Sequence, residues 1–328
     1  MKGQSIHIES LKGLDTSSFL NHAIALMKEQ AAHNEVYRDW VHLMHTQLEE
    51  VKSLESIPFL PIHFFKTHAI FNGAVCPDFH FESSGTTQDT VSKHYVQDLT
   101  IYEQSFMTSF QQFYGAPKDY CILGLLPNYL ERQHSSLVYM THHLIKASGH
   151  ASSGFYLYDF EALNAQLAVL EKAKQQTILI GVSFALMDFV DAFPQNLANT
   201  IVIETGGMKG RKQELTKPAL HTYLSKGFGT PIIHSEYGMT ELLSQAYSKG
   251  AGIYHCPPWM KVLVADEADP TSISTHGRGI LHIIDLANVH SCAFIATEDL
   301  GVVYPDGSFE VLGRVDHSAR RGCSLLVV

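Results

Sequence analysis

The stretch His234–Ser244, HSEYGMTELLS, holds the densest set of residue types suited to chemistry. Ile232 and Ile233 bring a short apolar strand up to it, and Leu242 and Leu243 carry the chain away. Tyr237 offers a ring to stack a base and Gly238 permits a sharp turn. Thr240 offers a hydroxyl for a phosphate oxygen, and Glu241 a carboxylate for Mg²⁺. The same letters also describe an ordinary strand-to-helix turn capped by Thr240 or Glu241. A second stretch, FESSGTTQDTVSKH (Phe81–His94), sets small hydroxyl residues around Gly85. Such a run leaves backbone N–H groups free to face an anion. Ser83, Ser84, Thr86 and Thr87 add side-chain donors, and Lys93 and His94 offer charge. It is not a Walker A loop, because GxxxxGK[ST] is absent. Its plainer reading is a polar loop capping the next helix, on which Tyr102, Phe106, Phe110 and Phe113 form an apolar stripe.

These loops need elements to hold them. Residues 16–50 carry apolar side chains at helical spacing and predict two amphipathic helices. Pro58 and Pro61 then exclude continuous helix across Ile57–Phe65, IPFLPIHFF. From residue 120 buried strands alternate with helices: CILGLLP, FYLYDF (Phe155–Phe160), TILIGVSF and TIVIETGG. That alternation predicts an α/β fold with a mainly parallel, doubly wound sheet. Ligands of such sheets bind beyond the carboxyl ends of the strands. Pro127–Arg132, Ser183–Phe184, Glu204–Met208 and Glu236–Glu241 are therefore expected to converge. After about residue 250 the pattern becomes strands and turns only, predicting a C-terminal antiparallel β subdomain. The expected division is a helical segment (1–75), an α/β nucleotide-binding core (76–250), a β subdomain (251–312) and a short tail (313–328).

Composition narrows the function. With 328 residues, 45% hydrophobic and 17% charged, the chain has material for about two lobes around a large core. A net charge of −10 without any Lys/Arg run argues against a nucleic-acid surface. No apolar run reaches a membrane span, and no signal-peptide pattern opens the chain. Five cysteines without CxxC spacing fit free thiols in a cytoplasm. No HExxH pattern occurs among the 20 histidines.

Ser83–Thr87 (SSGTT), Gly206–Gly207, Tyr237–Glu241 (YGMTE), Thr297–Gly301 (TEDLG) and Gly313–Asp316 (GRVD) follow one another in the order of the adenylate-forming acyl-activating superfamily. Within it the chain most resembles the LuxE-type acyl-protein synthetases, through IPFLPIHFFK, SSLVYM and RRGC as well. The resemblance implies a large adenylate-forming domain and roles for particular residues. Ser83, Ser84, Gly85, Thr86 and Thr87 would hold the β- and γ-phosphates of ATP. Gly206 and Gly207 would approach adenine, with Tyr237 and Gly238 on its other side. Thr240 would meet the α-phosphate and Glu241 would hold Mg²⁺. Asp299 would chelate the ribose hydroxyls, and Arg314 would reach ribose or phosphate or else pair with Asp299 or Asp316. The implied reaction joins a carboxylic, fatty acid to AMP and passes the acyl group to a thiol.

The sequence stops at Val328, where most relatives continue into a lid domain bearing a catalytic lysine. In the LuxE branch a tail cysteine accepts the acyl group instead, and Cys323 holds that place, beside Arg320 and Arg321 that would favour its thiolate. A partner reductase, a carrier protein or CoA is the alternative acceptor. Gln88 stands where relatives commonly have Gly. His255 and Cys256 lie where some CoA ligases bind a metal, without a matching ligand set. His134 is placed near an acyl carboxylate or at a helix cap. Two rivals remain: an acyl- or aryl-CoA ligase without its lid, and a catalytically silent nucleotide- or acyl-binding module.

Overall fold

The structure is a computed structural model that describes residues 8–83, 91–127, 134–206 and 215–315. The N-terminal part folds as α1 (Ile8–Leu11), α2 (Thr16–His33) and α3 (Glu35–Leu43). Asp15 caps α2 through a reciprocal bond pair with Ser18, and Asn34 caps α3 through the Tyr37 N–H. The proline-rich connector then contributes β1 (Leu60–Pro61) and the single turn α4 (Phe64–Thr67). A hairpin of β2 (His80–Glu82) and β3 (Lys93–Tyr95) flanks the serine/threonine stretch. The next helix, α5 (Leu99–Tyr114), is capped by Asp98, which accepts from the Thr100 N–H at 2.9 Å. The serine/threonine stretch is therefore not that helix's cap.

The parallel sheet follows. Its elements are β4 (Cys121–Leu125), α6 (Ser136–Ser148), β5 (Gly154–Phe155), α7 (Phe160–Lys172), β6 (Thr177–Val182), α8 (Ser183–Ala192), β7 (Thr200–Thr205), α9 (Lys217–Phe228) and β8 (His234–Tyr237). β9 (Ala246–Ser248) adds an antiparallel edge, giving the order β5-β4-β6-β7-β8-β9. Strand alternation explains why the sheet is covered on both faces. Cys121, Leu123, Leu179 and Val202 point into a cluster with Leu163, Phe189 and Leu224 of α7, α8 and α9. Ile122, Ile178, Ile180 and Ile203 point the other way, into the larger core with Phe106 and Phe110 of α5 and Leu144 of α6.

FYLYDF is expected as a strand, yet only Phe155 of it is in β5. Asp159 accepts from the Ala162 N–H at 2.9 Å and starts α7 instead. The alternative of a helix capped by Thr240 or Glu241 is not what forms: residues 238–245 run irregularly into β9.

The second sheet comprises β10 (Met260–Ala265), β11 (Ile273–Ser274), β12 (Gly277–Asp285), β13 (Phe294–Val303) and β14 (Phe309–Arg314). These strands pair antiparallel, as expected. The N-terminal segment joins them: β1 pairs with β13 in parallel, Leu60 opposite Ile295 and Pro61 opposite Ala296. β14 runs through Arg314, so Gly313 and Arg314 belong to this sheet. No described helix is long and apolar enough to cross a membrane.

Candidate active site

The site forms where the carboxyl end of β8 meets β13 and β14. β8 delivers Tyr237, whose hydroxyl donates to Asp299 Oδ2 at 2.8 Å. Asp299 stands opposite Arg314 in the β13–β14 ladder, and Arg314 Nε donates to Asp299 Oδ1 at 3.3 Å. The Asp299 side chain is 11% exposed, whereas that of Arg314 is 68% exposed, so the guanidinium keeps donors facing outward. The Tyr237 ring lies edge-on to Tyr254 and Phe309, with centroids 5.8 and 5.4 Å away. The β7–β8 register pairs Thr205 with Glu236, so Gly206 lies beside Tyr237. Gly206 has φ +68° and open space where a side chain would project, which suits backbone approach to a flat ligand.

The serine/threonine stretch reaches this same place through its flanks. Ser92 N–H donates to Ser83 Oγ at 2.9 Å, closing the loop at its base. Ser92 also neighbours the Glu241 carboxyl. Glu241 is 5% exposed, and burial raises its carboxyl pKa, while Ser92, Arg314 and Lys66 pull it down. Ser84, Gly85, Thr86, Thr87, Gln88, Gly207, Asp316 and Cys323 lie outside the described residues.

His94 is not the loop cation the sequence suggested. The ring is buried, packed edge-on against Phe65, and burial pushes its pKa down to about 4. Its Nδ1 sits 2.8 Å from the Thr240 carbonyl, and its Nε2 lies 3.0 Å from Asn288 Oδ1. Asn288 Nδ2 donates to the carbonyls of Glu241 and Cys292, each at 2.9 Å, which fixes the amide with its oxygen toward the ring. Both of these partners are acceptors, so a neutral ring donates to only one of them. Asp285 holds the next residues, accepting from Leu243 N–H at 2.8 Å and the Ser244 hydroxyl at 2.6 Å. The irregular turn is thus pinned by side chains where helix bonds would otherwise serve.

Sequence reasoning missed Asn288, Asp285, Ser92 and Lys66 as parts of this site. Lys66 sits on α4, which the β1–β13 pairing carries to the Asp299 side of the molecule. At the ends of β6, β7 and β8, where Ser183 and Glu204 were expected, their partners Lys217 and His221 were also missed. Glu204 is buried with Lys217 Nζ at 2.5 Å, His221 Nε2 at 3.4 Å and the Ser183 hydroxyl at 3.0 Å. Burial works to raise the Glu204 carboxyl, but Lys217 and these hydrogen bonds outweigh it and hold its pKa to about 2. Ser183 Oγ also lies 2.7 Å from the Gly206 carbonyl, anchoring that glycine.

His134 stacks on His80 at 5.0 Å with Nδ1 2.8 Å from the His80 carbonyl, while Ser135 caps α6. Among the described residues no grouping of three or more His, Cys, Asp or Glu could hold a metal, His255 and Cys256 included. Mg²⁺ accompanying phosphates needs only one or two protein carboxylates. Glu241, a buried carboxyl whose pKa burial raises, fits that requirement.

Similar folds occur among acid–CoA ligases. A 2-hydroxyisobutyryl-CoA ligase, solved with 2-HIB-AMP and CoA, matches with a TM-score of 0.69 at 12% identity, covering 94% of this chain and 71% of that one. ATP-bound MatB from Rhodopseudomonas palustris matches with a TM-score of 0.53 at 18% identity, covering 74% of this chain and 49% of that one. The fold is therefore the one these two structures share. The family described as acyl-protein synthetase, LuxE, matches residues 15–328, and the chain belongs to that family. It is also 23% identical to a long-chain-fatty-acid–luciferin-component ligase of Aliivibrio fischeri over 185 residues, 51% of this chain. That match spans about half of the relative, 49% of its length.

Proposed function

We propose that this protein joins ATP and a carboxylic acid, a fatty acid by family, into an acyl-adenylate with release of pyrophosphate, and then passes the acyl group to a thiol. The observation that carries the proposal is one continuous set of contacts. Tyr237 reaches Arg314 through Asp299, and Glu241, four residues after Tyr237, neighbours Ser92 at the base of the serine/threonine loop.

In this reading a carboxylate oxygen attacks the α-phosphorus of ATP, and the bond to the β-phosphate oxygen breaks. No protein nucleophile is needed; orientation and charge neutralisation carry the step. Asp299 accepts from the ribose hydroxyls, with Tyr237 and Arg314 holding its oxygens in place. Gly206 and Gly207 flank the base. Ser83, Ser84, Gly85, Thr86 and Thr87 hold the terminal phosphates, and Thr240 meets the α-phosphate. Arg314 and Lys66 add positive charge beside Glu241. Mg²⁺ bound by Glu241 would neutralise phosphate charge and so ease approach of the anionic acid.

The acyl acceptor is Cys323 or the thiol of a partner reductase or carrier. CoA is the second reading, favoured by the fold match to a ligase solved with CoA. A cytoplasmic site of action fits the free thiols. The test is mass analysis of protein incubated with ATP, Mg²⁺ and a fatty acid. A hydroxylamine-sensitive acyl group is expected on Cys323, and Cys323→Ser should lose it while still releasing pyrophosphate. A thioester that persists in Cys323→Ser would reject Cys323 as acceptor, and soluble acyl-CoA formed on adding CoA would assign that role to CoA.

A further inference from the structure

A groove between α3 and α4 is unaccounted for by the site above. It encloses about 340 Å³ and is lined by Val36, Trp40, Leu43 and Phe64, with the acidic Glu35 and Asp39 at its rim. Leu43 is 67% exposed and continues the apolar lining of the groove to the surface. Trp40 packs edge-on to Phe64 at 5.7 Å, yet its indole N–H is buried without an acceptor. A backbone carbonyl laid along the groove would remove that defect.

We propose that the groove docks this chain's own residues 316–328, DHSARRGCSLLVV. Three observations favour this occupant. The first is where the segment starts. Arg314 lies beside Asp299, and β1 pairs with β13 just before Asp299, so α4 and the departing chain share one side of the molecule. Lys66 of α4 and Arg314 both lower the Glu241 carboxyl pKa, in keeping with that shared side. From residue 315 to residue 325 an extended chain reaches at most roughly 33 Å.

The second is charge. Arg320 and Arg321 complement Glu35 and Asp39, and Asp39 is held only loosely, with Arg38 Nε at 3.9 Å. The third is the apolar end: Leu325, Leu326, Val327 and Val328 match the Val36–Trp40–Leu43–Phe64 lining. Docking would station Cys323 between the paired arginines and the seated apolar end, on the nucleotide side of the molecule. The inference concerns where the segment sits, and stands or falls separately from whether Cys323 carries an acyl group.

Hydrogen exchange by mass spectrometry on the full chain tests it. In Arg320→Glu/Arg321→Glu and in Leu325→Ser/Leu326→Ser, exchange across residues 35–44 and 64–69 should quicken about tenfold, because docking protection is lost locally. Exchange in β12 and β13 should stay at the parent rate. Adding Glu35→Lys/Asp39→Lys to the arginine variant should restore slow exchange by exchanging the charges. Unchanged exchange at α3 and α4 in both tail variants would overturn the proposal. Protection that grows with protein concentration would also overturn it, giving the groove to a second copy.

Discussion

Glu236 precedes Tyr237 on β8 and faces the opposite side of the strand, where only the Thr205 hydroxyl donates to it among the described residues. Burial raises its carboxyl to about 7, Thr205 draws it back, and the neighbouring Glu204 raises it further. An unfolded glutamate titrates near 4.5, so the native state binds this proton more tightly between those values. The stability it contributes is full below pH 4.5 and is lost as pH rises through 7. Glu236→Gln keeps the Thr205 contact without the charge. Thermal unfolding should show the variant more stable than the parent at pH 8, by up to about 3 kcal/mol, with the gap closing toward pH 5. An equal gap at both pH values would contradict the assignment. Glu204 behaves oppositely: its ion pair with Lys217 contributes above the unfolded pKa and is lost as pH falls toward 2. At this scale the motif residues were legible, since Tyr237, Glu241, Asp299 and Arg314 sit in recognisable local patterns. Glu204–Lys217 and His94–Asn288 were not, because a buried pair made by distant segments leaves no local spacing to read.

The turn after β8 shows the same division among elements. Its sequence reads as a helix start, but tertiary bonds from the β12–β13 connection override that preference. Burial raises Asp285 to about 6, and bonds from Ser244 and the N–H groups of Leu243 and Ala287 draw it back. Asn288→Ala would leave the Glu241 and Cys292 carbonyls without this donor, and His94 Nε2 without its neighbour. Chemical denaturation should register a loss of about 3 kcal/mol. A loss below 1 kcal/mol would show that the turn has other support. The alternation of strand and helix was legible because parallel strands buried on both faces are continuous apolar runs. The β1–β13 pairing was not: a two-residue strand between prolines has no period to detect. It is this pairing that brings α4 and Lys66 to the site.

Across the whole molecule the two sheets meet where β8 hands Tyr237 to β13, with the base of the serine/threonine stretch and the turn after β8 beside that junction, while residues 128–132 and 207–208 of the loops expected to converge lie outside the described residues. The central claim is that this junction activates an acid with ATP. Acid-dependent exchange of pyrophosphate into ATP measures that step alone, whatever thiol follows. The parent should exchange with at least one fatty acid of a chain-length series, and Asp299→Ala should raise the KM for ATP by about tenfold to a hundredfold, as expected for losing hydrogen bonds to a charged group. No exchange with any carboxylic acid, in a parent protein shown to be folded, would contradict the account.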